Sequence, residues 1–189
     1  MRAYTAQREE RSSPMTGKQF GPYEIMARED GKPWLLGKGG MGETYRARDA
    51  QLGREVALKT IAPERLRDAT ARERFLREAK SNARLHHRNI AAVHQFGEID
   101  GVCYYAMELI EGETLQAKLK REGALPVPQA LAIARQVAQA FSEAEKHGII
   151  HRDVKPGNIM LHPEADGELL VKLIDFGLAK AILGDDSET

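Results

Sequence analysis

The chain has 189 residues, with 28 Lys or Arg and 28 Asp or Glu, so its formal net charge is zero. This balance gives no electrostatic reason to expect a nucleic-acid partner or an acidic membrane surface. The single cysteine, Cys103, excludes an intrachain disulfide and fits a cytoplasmic setting. No apolar run approaches the ~18 residues that a membrane span needs, so we expect no span in this chain.

The first 107 residues predict an antiparallel sheet with one helix. Residues 1–19 are polar and lack periodicity, so we expect a disordered tail there. Apolar, β-prone runs bounded by turn residues predict strands at 34–36, 43–49, 54–61, 90–98 and 102–107. Residues 63–85 predict a helix whose inward face carries Phe75, Leu76, Ala79 and Ala83.

The rest of the chain predicts mainly helices and one hairpin. A short connector at 108–113 leads into a short helix at 114–121. The helix predicted at 126–146 has the clearest period, with an apolar face at Ala130, Ile133, Ala134, Val137, Ala138 and Phe141. A polar turn then joins the strands 159–161 and 169–174 into a hairpin.

Two polar loops follow apolar segments in the last third of the chain. The first loop carries a carboxylate at Asp153, an ammonium at Lys155 and an amide oxygen at Asn158. The second loop begins with Asp175, directly after an apolar segment. Such oxygens suit Mg²⁺ on a phosphate, and a carboxylate can steer a hydroxyl towards it. Taken singly, these Asp and Asn residues are equally typical of ordinary turns.

A glycine-rich turn lies between the first two predicted strands. Gly37, Gly39 and Gly42 form a G-x-G-x-x-G pattern, which alone is as typical of a plain hairpin as of a phosphate site. A dinucleotide-binding site requires a helix after the glycines, and a Walker-type loop requires a terminal GK[ST]; neither follows here. The remaining functional interpretation is a glycine flap whose amides close over phosphates.

Lys59 follows three apolar residues within the predicted strand 54–61. A charge in such a place needs a partner or a ligand, and Glu78 on the next helix is a candidate. The pair would hold the lysine ammonium against the α- and β-phosphates of a nucleotide. A plain surface lysine is the alternative interpretation of this residue alone.

The order of these elements resembles the eukaryotic-type protein kinase family, and within it the bacterial Ser/Thr kinases. The matching segments are GKGGMGETYRARD (37–49), VALK (56–59), Glu78, HRDVKPGNIML (151–161) and DFGLAK (175–180). The resemblance implies an α+β, bilobal fold. Its five-stranded antiparallel N-lobe with one main helix would span 20–107, with a hinge at 108–113 and an incomplete, mainly helical C-lobe at 114–189.

The resemblance also implies roles for individual residues. Asp153 would accept the proton of the substrate hydroxyl, and Lys155 would neutralise the γ-phosphate, as is typical of Ser/Thr specificity. Asn158 and Asp175 would hold Mg²⁺, and His151 would pack on Phe176. Lys59, held by Glu78, would bind the α- and β-phosphates. The other residues implied to contact ATP are Leu36, Gly37, Lys38, Gly39, Gly40, Met41, Gly42, Thr44, Ala57, Met107, Glu108, Ile110 and Met160.

The resemblance implies transfer of the ATP γ-phosphate to Ser or Thr of a protein substrate. The chain could also phosphorylate itself, and Ser187 and Thr189 are candidate sites for this. Because no APE-like motif or later helices follow the DFG sequence, we expect a truncated kinase region, weak or inactive in isolation. A nucleotide-binding, pseudokinase-like module is the alternative. A small-molecule phosphotransferase is less favoured, because its relatives of this fold tend to carry HGD where this chain has Arg152.

Overall fold

The structure is a computed structural model that describes residues 19–63, 66, 69–165 and 167–176. Of the predicted tail, only Gln19 is among the described residues. Residues 177–189, which include the candidate phosphorylation sites Ser187 and Thr189, also lie outside them. No helix in the described part of the chain is long and apolar enough to cross a membrane.

An antiparallel sheet occupies the first half of the molecule. Within the described residues it has seven strands in the order β1-β2-β4-β5-β7-β6, with β3 also paired to β4. These strands are β1 (Gln19–Phe20), β2 (Tyr23–Ile25), β3 (Leu35–Gly39), β4 (Gly42–Asp49), β5 (Arg54–Ile61), β6 (Val93–Ile99) and β7 (Val102–Glu108).

The predicted count of five strands is wrong, because residues 19–25 add a hairpin at the sheet edge. This hairpin turns at Gly21, whose φ of +55° is in the left-handed region that favours glycine. Strand β2 pairs with the C-terminal end of β4, whereas β3 pairs with its N-terminal end. The chain thus leaves the sheet after Ile25 and returns to the same edge at Leu35.

Both faces of the sheet are covered, which explains the continuous apolar character of β5. Tyr105 and Met107 of β7 lie with Ala57 in a buried cluster that also contains Phe75 of the neighbouring helix. Their neighbours Tyr104 and Ala106 belong to a second buried cluster, with Val56 and Leu58 of β5. Alternating residues of a strand point to opposite faces, so β5 and β7 each contribute to both clusters.

Helix α1 (Ala69–Asn82) is shorter than the predicted segment 63–85. Ala71, Phe75 and Ala79 are buried at spacings of four residues, which places them on one face against the sheet. The chain then turns, with the Leu85 N–H donating to the Asn82 carbonyl over 3.0 Å.

The second half contains two α-helices and a small sheet among its described residues. The elements are β8 (Glu113–Thr114), α2 (Leu115–Glu122), α3 (Val127–Lys146), β9 (Ile159–Pro163) and β10 (Leu169–Leu173), and the strand order is β10-β9-β8. Strand β8 was not predicted. Thr114 caps α2, since its Oγ accepts a hydrogen bond from the Ala117 N–H over 3.1 Å.

Helix α3 buries Ile133, Ala140 and Ala144 in a cluster with residues of β9 and β10. Part of its predicted apolar face is exposed instead, at Ala130, Ala134 and Ala138. These alanines line an apolar groove of about 520 Å³, together with Leu115, Leu119, Leu125, Ile133, Val137, Phe141 and Ile159.

Backbone hydrogen bonds join the two halves beside the polar loops. The Ala91 N–H donates to the Leu173 carbonyl, and the Leu173 N–H donates to the Asn89 carbonyl, both over 2.9 Å. The Ile174 N–H donates to the Asn158 carbonyl over 3.0 Å. These bonds fix the segment before Asp175 against both the residues that precede β6 and the loop that carries Asn158.

Candidate active site

A cavity of about 570 Å³ lies between the glycine turn, the segment after β7 and the two polar loops. Every predicted site residue except Glu78 is on its wall. Those residues are 36–42, Thr44, Ala57, Lys59, Met107, Glu108, Ile110, Asp153, Lys155, Asn158, Met160 and Asp175. The fold therefore gathers motifs from separate parts of the chain around one space.

The glycines of the turn differ in how closely neighbouring atoms approach them. Gly42 has φ +145°, and a Cβ built on it would lie 1.9 Å from the Thr60 carbonyl oxygen, so the close approach of β4 to β5 requires glycine there. A Cβ on Gly37 or Gly39 would meet no atom within 4 Å. A Cβ would therefore fit at these two positions without a clash.

Lys59 projects from β5 towards Asp175. Its Nζ donates to Asp175 Oδ2 over 2.5 Å, and both side chains are mostly buried. Tyr105, the cross-strand neighbour of Lys59, donates its hydroxyl to the other oxygen, Asp175 Oδ1. Burial, and then the Asp175 charge, raise the pKa of Tyr105 well above its ordinary value, so this hydroxyl stays protonated and can donate.

The predicted pairing of Lys59 with Glu78 differs from the structure, and Glu78 does not line the cavity. Glu78 Oε1 instead faces Arg152 at 3.9 Å from its guanidinium. Helix α1 is held at its end by Asn82, whose amide donates to the Phe176 carbonyl. In this position of the helix, the carboxylate that reaches Lys59 belongs to Asp175.

His151 connects the two polar loops from a buried position. Its Nε2 bonds to the Ile174 carbonyl over 3.1 Å, and its Nδ1 accepts from the Asp153 N–H over 3.3 Å. Burial lowers the pKa of His151 despite these hydrogen bonds, so the neutral ring with a proton on Nε2 satisfies both partners. The ring also lies 4.6 Å from the Phe176 ring, in the predicted contact.

Asp153 lies on the cavity wall with two donors on one oxygen. Its Oδ2 accepts from Lys155 Nζ over 2.6 Å and from Asn158 Nδ2 over 2.9 Å. Partial burial favours a higher pKa for Asp153, but the hydrogen bonds from Lys155 and Asn158 outweigh burial and lower the pKa below its ordinary value. The carboxylate is therefore ionised at neutral pH and able to accept a proton.

The residues predicted to hold a metal fit Mg²⁺ by their chemistry. The amide nitrogen of Asn158 is used by Asp153, so the oxygen of the amide is the atom that it can offer a cation. Asp175 supplies a carboxylate on the same cavity wall. Mg²⁺ with a nucleotide is typically held by one or two such side chains, with phosphate oxygens and waters completing its coordination.

The opposite end of the cavity has the apolar walls that a flat ring needs. Ala57 and Met107 are cross-strand partners on β5 and β7, and Met160 lies on the wall from β9. The Glu108 N–H donates to the Ala92 carbonyl over 2.9 Å, so this N–H is already used by the protein. A ligand would meet residues 108–110 mainly through their other backbone groups.

Several wall residues were not predicted from the sequence. They are Leu109, Gly112, Glu113, Thr114, Gln116, Ala117, Gly157 and Ile174. Most belong to the segment through β8 and the start of α2. The Thr114 cap signal marks the start of that helix, but the sequence does not indicate that the helix begins under the cavity. Tyr105 was also missed, although the alternation of β7 places it on the same face as Met107.

Comparison with known proteins agrees with the family that the sequence motifs indicate. The protein kinase domain family matches residues 32–188. The serine/threonine-protein kinase PknD of Mycobacterium tuberculosis is 42% identical over 168 residues, which are 89% of this chain and 24% of PknD. The chain therefore spans about a quarter of the length of that relative.

Two solved structures support the fold. The PknI kinase domain of Mycobacterium tuberculosis has a TM-score of 0.72 and 36% identity, over 86% of this chain and 62% of that one. Rad53 in complex with AMP-PNP has a TM-score of 0.69 and 27% identity, over 83% of this chain and 38% of that one. The chain belongs to the protein kinase domain family and is similar to bacterial serine/threonine kinases.

Proposed function

We propose that this chain binds ATP with Mg²⁺ in the cavity and transfers the γ-phosphate to a Ser or Thr hydroxyl of a protein. The observation that carries the proposal is the Asp153 carboxylate, kept ionised on the cavity wall beside Lys155. Support for ATP comes from the family membership and from Rad53, whose structure contains the ATP analogue AMP-PNP.

The groups on the wall would divide the work between binding and proton transfer. Asp153 would orient the substrate hydroxyl and take its proton, and Lys155 would lower the negative charge on the transferred phosphoryl group. Lys59 would bind the α- and β-phosphates. Mg²⁺, held by Asn158 and Asp175, would neutralise charge on the phosphates. Positioning and charge neutralisation account for catalysis of this kind.

The proposed division of the chain follows the same scheme. Residues 20–107 would form the N-lobe, 108–113 the hinge and 114–189 part of the C-lobe, with ATP between them. A substrate protein, or a second copy in autophosphorylation, would approach Asp153 from the open side of the cavity. The cytoplasmic location stays a prediction.

Replacing Asp153 with Asn tests the proposed base. Asn keeps the shape and an acceptor oxygen but cannot take a proton, so we expect phosphotransfer to fall at least ~100-fold. Binding of Mg·ATP should stay within about threefold, measured by titration calorimetry beside a radiolabelled transfer assay on a generic protein substrate. Activity that survives in this variant would refute the role of Asp153.

Replacing Lys59 with Met tests the phosphate site. The variant loses an ammonium within the cavity, and a charge-assisted hydrogen bond of ~1.5–3 kcal/mol corresponds to at least about tenfold weaker ATP binding. Exposed Lys120 on α2 gives a matched control, since Lys120→Met removes the same charge away from the cavity. An unchanged ATP affinity in Lys59→Met would exclude the phosphate role.

The two assays together separate catalysis from binding alone. A wild-type chain that binds Mg·ATP but transfers no phosphate would favour the nucleotide-binding module over the kinase. A chain that binds no nucleotide would contradict both.

A further inference from the structure

Tyr105 is a buried residue beside the cavity, only 1% exposed, and it does not line the cavity wall. It is the direct cross-strand partner of Lys59, and its ring lies 5.7 Å from the Lys59 ammonium. On its other side the ring contacts Phe75 of α1, at 6.5 Å between centroids. The tyrosine is thus fixed between the sheet, α1 and the loop that begins at Asp175.

The Tyr105 hydroxyl donates to Asp175 Oδ1, while Lys59 donates to Asp175 Oδ2. The two donors approach different oxygens of one carboxylate and so fix both its position and the plane of its atoms. The Asp175 backbone has φ +62°, in the left-handed region that Asp adopts more readily than most residues other than glycine. A buried hydroxyl without an acceptor is costly, which favours keeping this bond.

We propose that Tyr105 is a positioning residue that holds the Asp175 carboxylate in place for Mg²⁺. The inference rests on the proposed function, in which Asp175 is a metal ligand. Hydrogen bonds to a coordinating carboxylate orient it, and their loss typically weakens metal binding by ~10–100-fold.

The two donors to Asp175 differ in what a nucleotide would do to them. Lys59 lies on the cavity wall, so phosphates can draw its ammonium away from Asp175. Tyr105 lies behind the wall and carries no charge, so phosphates do not compete for its hydroxyl. Tyr105 is therefore the donor that can keep Asp175 in place when nucleotide is bound.

The test compares Tyr105→Phe with Tyr104→Phe in the full 189-residue chain. Tyr104 is the adjacent residue of β7, equally buried but on the opposite face of the sheet, so it is a matched control. The measurement is ADP affinity by titration calorimetry, in EDTA and over a series of MgCl₂ concentrations. We expect the Mg²⁺ concentration for half-maximal enhancement of ADP binding to rise ~10–100-fold in Tyr105→Phe and less than about twofold in Tyr104→Phe.

ADP affinity in EDTA, which does not depend on the Asp175–metal contact, reports whether the variant still forms the cavity. Each affinity is corrected by the folded fraction from thermal unfolding, so a destabilised variant still gives an answer. A second pair, Asp175→Asn with and without Tyr105→Phe, completes a double-mutant cycle. If Tyr105 acts through Asp175, its replacement has no further effect once the carboxylate is gone.

The outcomes are distinct. Unchanged Mg²⁺ dependence in Tyr105→Phe would overturn the inference, and so would tighter Mg²⁺ binding, which would mean that the hydroxyl withholds Asp175 from the metal. A loss of equal size in the Asp175→Asn background would also overturn it, since the effect would then be one of packing. In these cases the proposed function stands; a wild-type chain without Mg²⁺-dependent ADP binding would overturn both.

Discussion

At the scale of single residues, the polar side chains of the site are held by one another. Asp153 is fixed by Lys155 and Asn158, and Asp175 by Lys59 and Tyr105. Each carboxylate therefore has its donors before any ligand arrives. Preorganised donors of this kind need little rearrangement when a ligand binds, except where the ligand displaces one, as phosphates would displace Lys59 from Asp175.

The buried His151 gives a prediction about pH. Burial lowers its pKa below the ordinary value of 6.5, so between pH 6.5 and its folded-state pKa the unfolded chain binds more protons than the folded chain. The contribution of His151 to stability should therefore fall as the pH decreases from about 7 through this window and level off below its folded-state pKa. Thermal unfolding midpoints between pH 5 and pH 7.5 measure this slope.

Two variants isolate the contribution of this imidazole. His151→Gln should flatten the decline of the unfolding midpoint with falling pH, even if its midpoint is lower throughout. The exposed His86, replaced in the same way, should leave the decline unchanged. His94, whose pKa burial also lowers, is common to all three proteins. An identical decline in wild type and His151→Gln would show that His151 is not the responsible group.

At the scale of elements, the hairpin of β3 and β4 shows that the glycines of one motif can have different surroundings. Gly42 pairs with Gly39 in the hairpin and with Ile61 on β5, where no side chain fits. Gly39 lies over open space. The sheet therefore requires glycine at position 42, whereas a Cβ would fit at position 39.

This difference predicts unequal costs for the same substitution. Gly42→Ala should lower the free energy of unfolding by ~1–3 kcal/mol or more, because its φ is unfavourable and its Cβ meets the Thr60 carbonyl. Gly39→Ala should change it by less than ~0.5 kcal/mol. Urea denaturation of the two variants gives the comparison, and equal effects would contradict the assignment of Gly42 to the sheet.

At the scale of the whole molecule, an apolar groove lies open beside α3 among the described residues. Val127 and Leu131 of the same helix are also 70% and 65% exposed. Exposed apolar surface of this kind favours association and binds hydrophobic dyes. The exposed stripe coincides with part of the face that the sequence period predicts to be apolar.

Charges placed in the groove should reduce dye binding without unfolding the chain. In the double variant Ala134→Glu with Ala138→Glu, both side chains reach water, so we expect weaker ANS fluorescence and an unfolding free energy within ~0.5 kcal/mol of wild type per site. Ala140→Glu on the same helix is the control, because a charge at this fully buried position should prevent stable folding. Undiminished ANS fluorescence in the double variant would show that the dye binds elsewhere.

Local sequence determined most of the elements and the content of the site. The turn residues and periods near 37–61 and 126–161 depend on neighbours in the chain, so strands, helices and short motifs follow from them. The loop around Asp153 is of this kind, since Lys155 and Asn158 lie within five residues of it. Local sequence did not reveal the edge hairpin at 19–25, because its two short strands are stabilised by pairing with β4.

Only the tertiary structure decided which distant side chains meet. The sequence offered Glu78 as the partner of Lys59, but the placement of α1 against Phe176 leaves Glu78 facing Arg152. Asp175 and Tyr105 then take the places around the Lys59 ammonium. The physical reason is one of precision. The strength of a hydrogen bond changes when the donor–acceptor distance shifts by tenths of an ångström, whereas sequence periodicity indicates only which face of a helix or strand a residue lies on. The packing of helix, sheet and loop sets the remaining distances.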